Sequence, residues 1–145
     1  GANPDQDTSV YEHGVLTAVH DELMRQVDGV LAAGVKPERI IIDPGLGFSK
    51  PSIEHNLPLL TGLETFRGTG YPVLIGQSRK RFISAMLTEA GAVGEDGPTM
   101  AQRDDVTAAL SALSAEHGAW AVRVHDVAKS HAAVIAGNIW RQYLS

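Results

Sequence analysis

The 145 residues contain no cysteine, which excludes a disulfide framework and any thiolate metal site. There is no excess of positive charge. Twelve Lys and Arg stand against 17 Asp and Glu, a formal net charge of −5, which argues against general binding to nucleic-acid phosphates. No apolar run approaches the roughly 20 residues a membrane span needs, and no opening stretch reads as a signal peptide. Repeats, low-complexity tracts and a second-domain boundary are not visible. What is present is a mixed sequence, 43% hydrophobic and long enough for one domain with a real core. A cytoplasmic enzyme, or a piece of one, is the expectation. The chain opens at Gly1 rather than Met, and its polar, loop-like residues 1–8 look like a cut end.

The most informative stretch runs from Ile40 to Lys50, Ile-Ile-Ile-Asp-Pro-Gly-Leu-Gly-Phe-Ser-Lys. Three β-branched residues read as a buried strand. The strand then stops at Asp43, Pro44, Gly45 and Gly47. Pro44 fixes a turn, and the glycines can take backbone angles closed to other residues. Two later runs have the same form. Val73 to Gly76 leads into Gln77-Ser78-Arg79-Lys80, and Trp120 to Val124 leads into His125-Asp126. If the three strands are parallel neighbours, their polar exits converge on one face, as in the active sites of (β/α) barrels.

The rest of the chain alternates around these strands. A long helix is expected from a cap at Thr8 or Ser9 to Ala33, with Val15, Val19, Leu23, Val27 and Leu31 stepping by four and Leu16 and Val30 widening the stripe. Gly34 closes it and Pro37 prevents a restart. His13 and His20 share a face of this helix, but no third metal ligand is evident. A second helix is expected from Leu57 to Arg67, with Pro58 in its first turn and Leu59, Leu60, Leu63 and Phe66 inward. A short helix from Phe82 to Thr88 and a mobile loop from Ala90 to Thr99 follow. A third long helix, Met100 to His117, would turn Val106, Ala109, Leu110 and Leu113 inward. A last helix covers Val127 to Tyr143. The order α, βα, βα, βα with short links implies parallel strands and right-handed crossovers. Three strands do not close a barrel, which needs eight and typically about 250 residues. The fold class expected is therefore α/β, the C-terminal part of a (β/α)8 TIM-type barrel.

Each exit carries usable chemistry. Asp43 can accept from two adjacent N–H donors, the pattern on a pterin or guanine ring edge. Lys80 offers a mobile cation with three donors, beside Ser78. Against that stands the ordinary reading of Arg79, Lys80 and Arg81 as a solvated basic run at a helix start. Arg123, inside an apolar strand, should be buried only if paired. It could stack on a ring or fork onto a phosphate. His125 would share its side of the strand, two residues on. Asp126 could cap the last helix, whose N-terminal amides favour an anion.

Four motifs in order, Asp43 to Lys50, Glu54-His55-Asn56, Ser78-Arg79-Lys80 and Arg123-Val124-His125-Asp126, resemble those of bacterial dihydropteroate synthases. The resemblance covers nearly the whole chain, as the C-terminal half of a pterin-binding barrel domain over residues 9–145. It implies a transferase of folate biosynthesis that joins 4-aminobenzoate to 7,8-dihydropterin-6-ylmethyl diphosphate, releasing diphosphate and forming 7,8-dihydropteroate. It implies a homodimer, inhibition by sulfonamides that compete with aminobenzoate, and magnesium to assist the leaving group. By the same resemblance Asp43 binds the pterin edge, and Lys80 binds the pterin near the aminobenzoate. Arg123 stacks on the pterin and, with His125, contacts the diphosphate. Phe48 and Ser78 lie near the aminobenzoate. Lys80, Arg123 and His125 would be the catalytic residues. No metal ligand falls in this chain, because the family's magnesium-binding Asn belongs to a first half with no counterpart here.

That missing half implies a chain inactive alone. Two other readings stand beside the synthase. One is a pterin-binding methyltransferase on a related barrel, which would need neither Ser78-Arg79-Lys80 nor the Arg123/His125 pair. The other is a non-catalytic half-barrel whose open sheet is completed by association.

Overall fold

The computed structural model describes residues 14–45, 53–76 and 80–144. The first helix, α1, spans Val15–Ala32. The cap expected at Thr8 or Ser9 lies outside the described residues, as does His13. The helix does not run through from there, because its N-cap Gly14 has φ 96°, outside the helical region and open mainly to glycine. Val15 and Val27 are buried, and Leu16, Val19, Leu23, Met24 and Leu31 pack against the core. Val30 is exposed instead of widening the stripe, and only Leu31 of the last five helical residues turns inward. Gly34, at φ 99°, follows the helix, and Pro37 opens a short 3-10 turn, Pro37–Arg39.

The sheet is short and parallel. Ile42 bridges Val73 in parallel. Its amide donates to the Pro72 carbonyl, and its own carbonyl accepts from the Leu74 amide, both at 2.9 Å. Strand β1, Leu74–Ile75, pairs in parallel with β2, Ala121–Val122, in the register Leu74 with Ala121 and Ile75 with Val122. The pairing extends through the Trp120 amide to the Val73 carbonyl and the Arg123 amide to the Ile75 carbonyl, both 2.8 Å. The spatial order is thus the Ile42 segment, β1, then β2. All three segments are shorter than expected. Ile40 and Ile42 are buried, but Ile41 is 49% exposed. The triplet alternates between two faces, as extended chain must, and only one face is covered.

Between these segments come α2, Ile53–Thr61, and α3, Leu63–Arg67. One helix was expected here. Gly62 interrupts it where a Cβ would run into the Leu16 side chain of α1. Because α2 starts at Ile53, Pro58 lies inside it rather than in its first turn. Leu59, Leu60, Leu63 and Phe66 are buried, as their spacing predicts, and join Val73, Ile75, Phe82 and Ile83 in the core. Helix α4, Arg81–Glu89, follows β1. The 90–99 segment forms a turn with a Gly94–Gly97 bridge and is tied to the next helix by Gln102 Nε2, which donates to the Ala92 carbonyl at 2.8 Å.

Helix α5, Met100–Glu116, starts from a capping box in which Thr99 and Gln102 exchange side-chain-to-backbone hydrogen bonds. Helix α6, Val127–Gln142, packs along it. The pair is parallel, since Lys129 meets Asp105 near one end and Arg141 Nη1 donates to the Glu116 carbonyl, 2.7 Å, at the other. The inward side of α5 differs from expectation. Leu110 is buried and Val106 packs on the core, but Ala109 is exposed and Leu113 is 56% exposed. The buried line is Asp104, Thr107, Ala108, Ser111, Ser114 and Ala115, facing a small-residue line on α6 that includes Ser130 and Gly137. Small residues allow close approach, and the hydroxyls are not left bare: Ser111 Oγ donates to the Thr107 carbonyl at 2.8 Å and lies 3.4 Å from Ser130 Oγ. Among the described residues no helix is long and apolar enough to cross a membrane.

Candidate active site

Asp43, Lys80 and Arg123 all follow the carboxyl ends of the three parallel segments, so the topology brings them to one end of the sheet. Asp43 comes directly after Ile42 and is half-buried. Its Oδ1 accepts a hydrogen bond from the Gly45 amide at 2.9 Å. This is an Asx turn, closed by a glycine at φ 70°, so the loop anticipated from Asp-Pro-Gly holds the carboxylate at the sheet's exit. Phe48 and Ser78, with Gly47 and Lys50, lie outside the described residues.

Lys80 is the N-cap of α4 and is half-buried. Arg123 departs from its expected setting. Strand β2 ends at Val122, so Arg123 lies just beyond the strand rather than inside it, and it is exposed. Its guanidinium lies against Gly76 at the exit of β1, where a Cβ would stand 2.6 Å from Nη2. Strand alternation does not reach His125, because residues 123–126 are irregular, and His125 is exposed. Asp126 caps α6, its Oδ1 accepting from the Lys129 amide at 3.1 Å. That amide is therefore taken, and an anion at this helix end would meet those of Val127 and Ala128, which precede the first intrahelical bonds.

Two features escaped the sequence reading. Gly76 gives Arg123 room, and its only sequence signal is a glycine directly after a strand. The Lys129–Asp105 ion pair joins the first turn of α6 to the second turn of α5, and its carboxylate holds the Lys129 ammonium above the ordinary lysine pKa through a side-chain hydrogen bond. Among the described residues no group of three or more His, Asp or Glu side chains could hold a metal ion. A concavity of about 310 Å³ lined by Arg67, Tyr71, Val73, Gly118 and Trp120 lies at the opposite, amino end of the strands, away from the polar exits.

Parallel strands joined by helices, with ionisable groups at their carboxyl ends, define part of an α/β barrel enzyme. The pterin binding enzyme family matches residues 2–125, and the chain belongs to that family. It is 47% identical over 126 residues to a dihydropteroate synthase of Mycobacterium leprae (strain TN), covering 87% of this chain and 43% of the relative. A Yersinia pestis dihydropteroate synthase solved with a pterine-sulfa conjugate superposes with a TM-score of 0.79 at 27% identity, over 91% of this chain and 48% of that one. A Xanthomonas albilineans dihydropteroate synthase in complex with 7,8-dihydropteroate gives 0.75 at 34% identity, over 90% and 46%. The chain thus spans less than half the length of these proteins.

Proposed function

We propose that this chain carries the C-terminal half-site of a dihydropteroate synthase, a transferase that condenses 7,8-dihydropterin-6-ylmethyl diphosphate with 4-aminobenzoate. The observation that carries the reading is the position of Asp43, Lys80 and Arg123 at one end of a parallel sheet, in a chain of the pterin binding family. In the reaction the bond between the pterin methylene carbon and the diphosphate oxygen breaks. The amine nitrogen bonds to that carbon and loses a proton, and diphosphate leaves with the electron pair. Asp43 accepts from the amino-pyrimidine edge and orients the ring. Lys80 binds the pterin beside the aminobenzoate, for which Phe48 and Ser78 are proposed contacts. Arg123 stacks on the pterin and, with His125 and the first amides of α6, stabilises the departing anion.

Magnesium is proposed to assist the leaving group. Its ligand is proposed to lie outside this half-site. Sulfonamides are the proposed competitors of aminobenzoate, and the cytoplasm the proposed location. Self-association is also proposed, supported by Ile139, Trp140, Tyr143 and Leu144, all at least 50% exposed near the end of α6, an apolar group of the kind that marks contact surfaces.

The discriminating variant is Asp43→Asn in the protein expressed from its complete reading frame. An Asn oxygen still accepts from the Gly45 amide, so the turn and the melting temperature should hold. The carboxylate is lost to the pterin, which should cost about 1.5–3 kcal/mol of binding, the range for hydrogen bonds to charged groups. Pterin diphosphate affinity within twofold of the wild type would sink the assignment. Competition by free diphosphate separates the synthase from a methyltransferase, which has no diphosphate site.

A further inference from the structure

Gly76 is buried directly after β1, yet its φ lies outside the left-handed region that favours glycine. What requires a glycine there is space. A Cβ would stand 2.6 Å from Nη2, 3.1 Å from Cζ and 3.3 Å from Nε of Arg123, and these three nearest atoms all belong to that one guanidinium. Arg123 starts beyond the end of β2 and reaches back over the exit of β1, the middle of the three parallel segments, toward the side of the sheet where Asp43 stands. Its backbone is fixed by the amide's bond to the Ile75 carbonyl, 2.8 Å, one residue before Gly76. The main chain sets where Arg123 begins, and the missing side chain at position 76 sets where its charge ends.

We propose that Gly76 is a positioning residue for Arg123: by carrying no side chain it admits the guanidinium to the centre of the sheet's carboxyl end. The role rests on the proposed reading that Arg123 serves the pterin diphosphate. A methyl at position 76 would meet the far end of a long, flexible, exposed side chain rather than backbone. The fold can yield by moving Arg123, so the cost should fall on function before stability. Displacing a binding group by about 1 Å can cost about 100-fold in rate.

The test is a double-mutant cycle with Gly76→Ala and Arg123→Ala, in the protein expressed from its complete reading frame, with the Arg123 Nε–Hε NMR resonance as a structural readout. Gly76→Ala should shift that resonance, leave the melting temperature within a few degrees, and lower kcat/KM for the pterin diphosphate by about 100-fold. In the Arg123→Ala background it should lower kcat/KM no further, because coupled residues are non-additive. An unmoved resonance, or an equal loss in both backgrounds, overturns the proposal. A shifted resonance together with a fully active Arg123→Ala protein keeps the positioning and removes the catalytic reading of Arg123. If Gly76→Ala alone fails to fold, the double variant decides. Recovery of folding supports the contact, and continued unfolding shows that the methyl strikes something else.

Discussion

Gly137 of α6 lies against Ala112 of α5 so closely that a methyl on Gly137 would collide with the Ala112 carbonyl. The obstacle is backbone, which cannot swing aside. Gly137→Ala should therefore destabilise the protein by about 1–3 kcal/mol, the cost of overpacking, although alanine is the better helix former. Gly29, inside α1, has nothing within 4 Å of its own ideal Cβ. There Gly29→Ala should stabilise by about 0.5–1 kcal/mol. Denaturant unfolding of the two variants should give opposite signs.

Lys80→Ala should separate turnover from folding. Lys80 caps α4 with its backbone and makes no side-chain cap, so the helix start survives the change. A contact made chiefly in the transition state is worth about 2.7–4 kcal/mol in comparable deletions. Steady-state kinetics on the protein from its complete reading frame should show that loss in kcat with little change in melting temperature. Normal turnover with a lowered melting temperature would reverse the assignment.

The Lys129–Asp105 pair gives a pH signature. The folded-state pKa of Lys129 is raised above its ordinary 10.5 by the hydrogen bond from its ammonium to Asp105. A raised folded value stabilises fully below the unfolded pKa and is lost as pH climbs through the folded one. Wild type should thus melt above Lys129→Met at neutral pH, and the gap should close as pH rises past 10.5. The gap should be small and salt-sensitive, because both groups are substantially exposed. A gap that widens with pH would contradict the pairing.

The 145-residue chain as a monomer should make no dihydropteroate. Its relatives are more than twice the length it matches, and Asp43, Lys80, Arg123 and His125 are proposed as only one wall of a site. Holding both reactants and the leaving group in line is worth about 7–11 kcal/mol, and one wall does not hold them. Labelled 4-aminobenzoate, pterin diphosphate and magnesium incubated with purified monomer would check this. Product at a rate near that of the longer relatives would show that one half of the barrel suffices.

Much of this was written locally. The alternation of helices with short apolar runs, the stop at Gly34, the inward Leu59, Leu60, Leu63 and Phe66, and the Asp126 cap all depend on residues within a few positions of one another. The Asp43 exit was legible for the same reason, since an Asx turn is made by a carboxylate and an amide two residues on. So was the order of the four motifs, which is a property of the chain alone.

Tertiary packing decided the rest. Hydrophobicity pointed Ala109 and Leu113 inward on α5, but the parallel neighbour α6 approaches closely enough to select Thr107, Ser111 and Ser114 instead. Periodicity cannot see a seam in which a hydroxyl such as that of Ser111 is satisfied by its own helix. At the break between α2 and α3, Gly62 faces the Leu16 side chain, 46 positions earlier, which occupies the space a side chain there would need. Arg123 was legible as a charge at a strand end. Its resting place over Gly76 depends on β1 and β2 lying side by side, a relation between segments 47 positions apart that neither segment encodes alone.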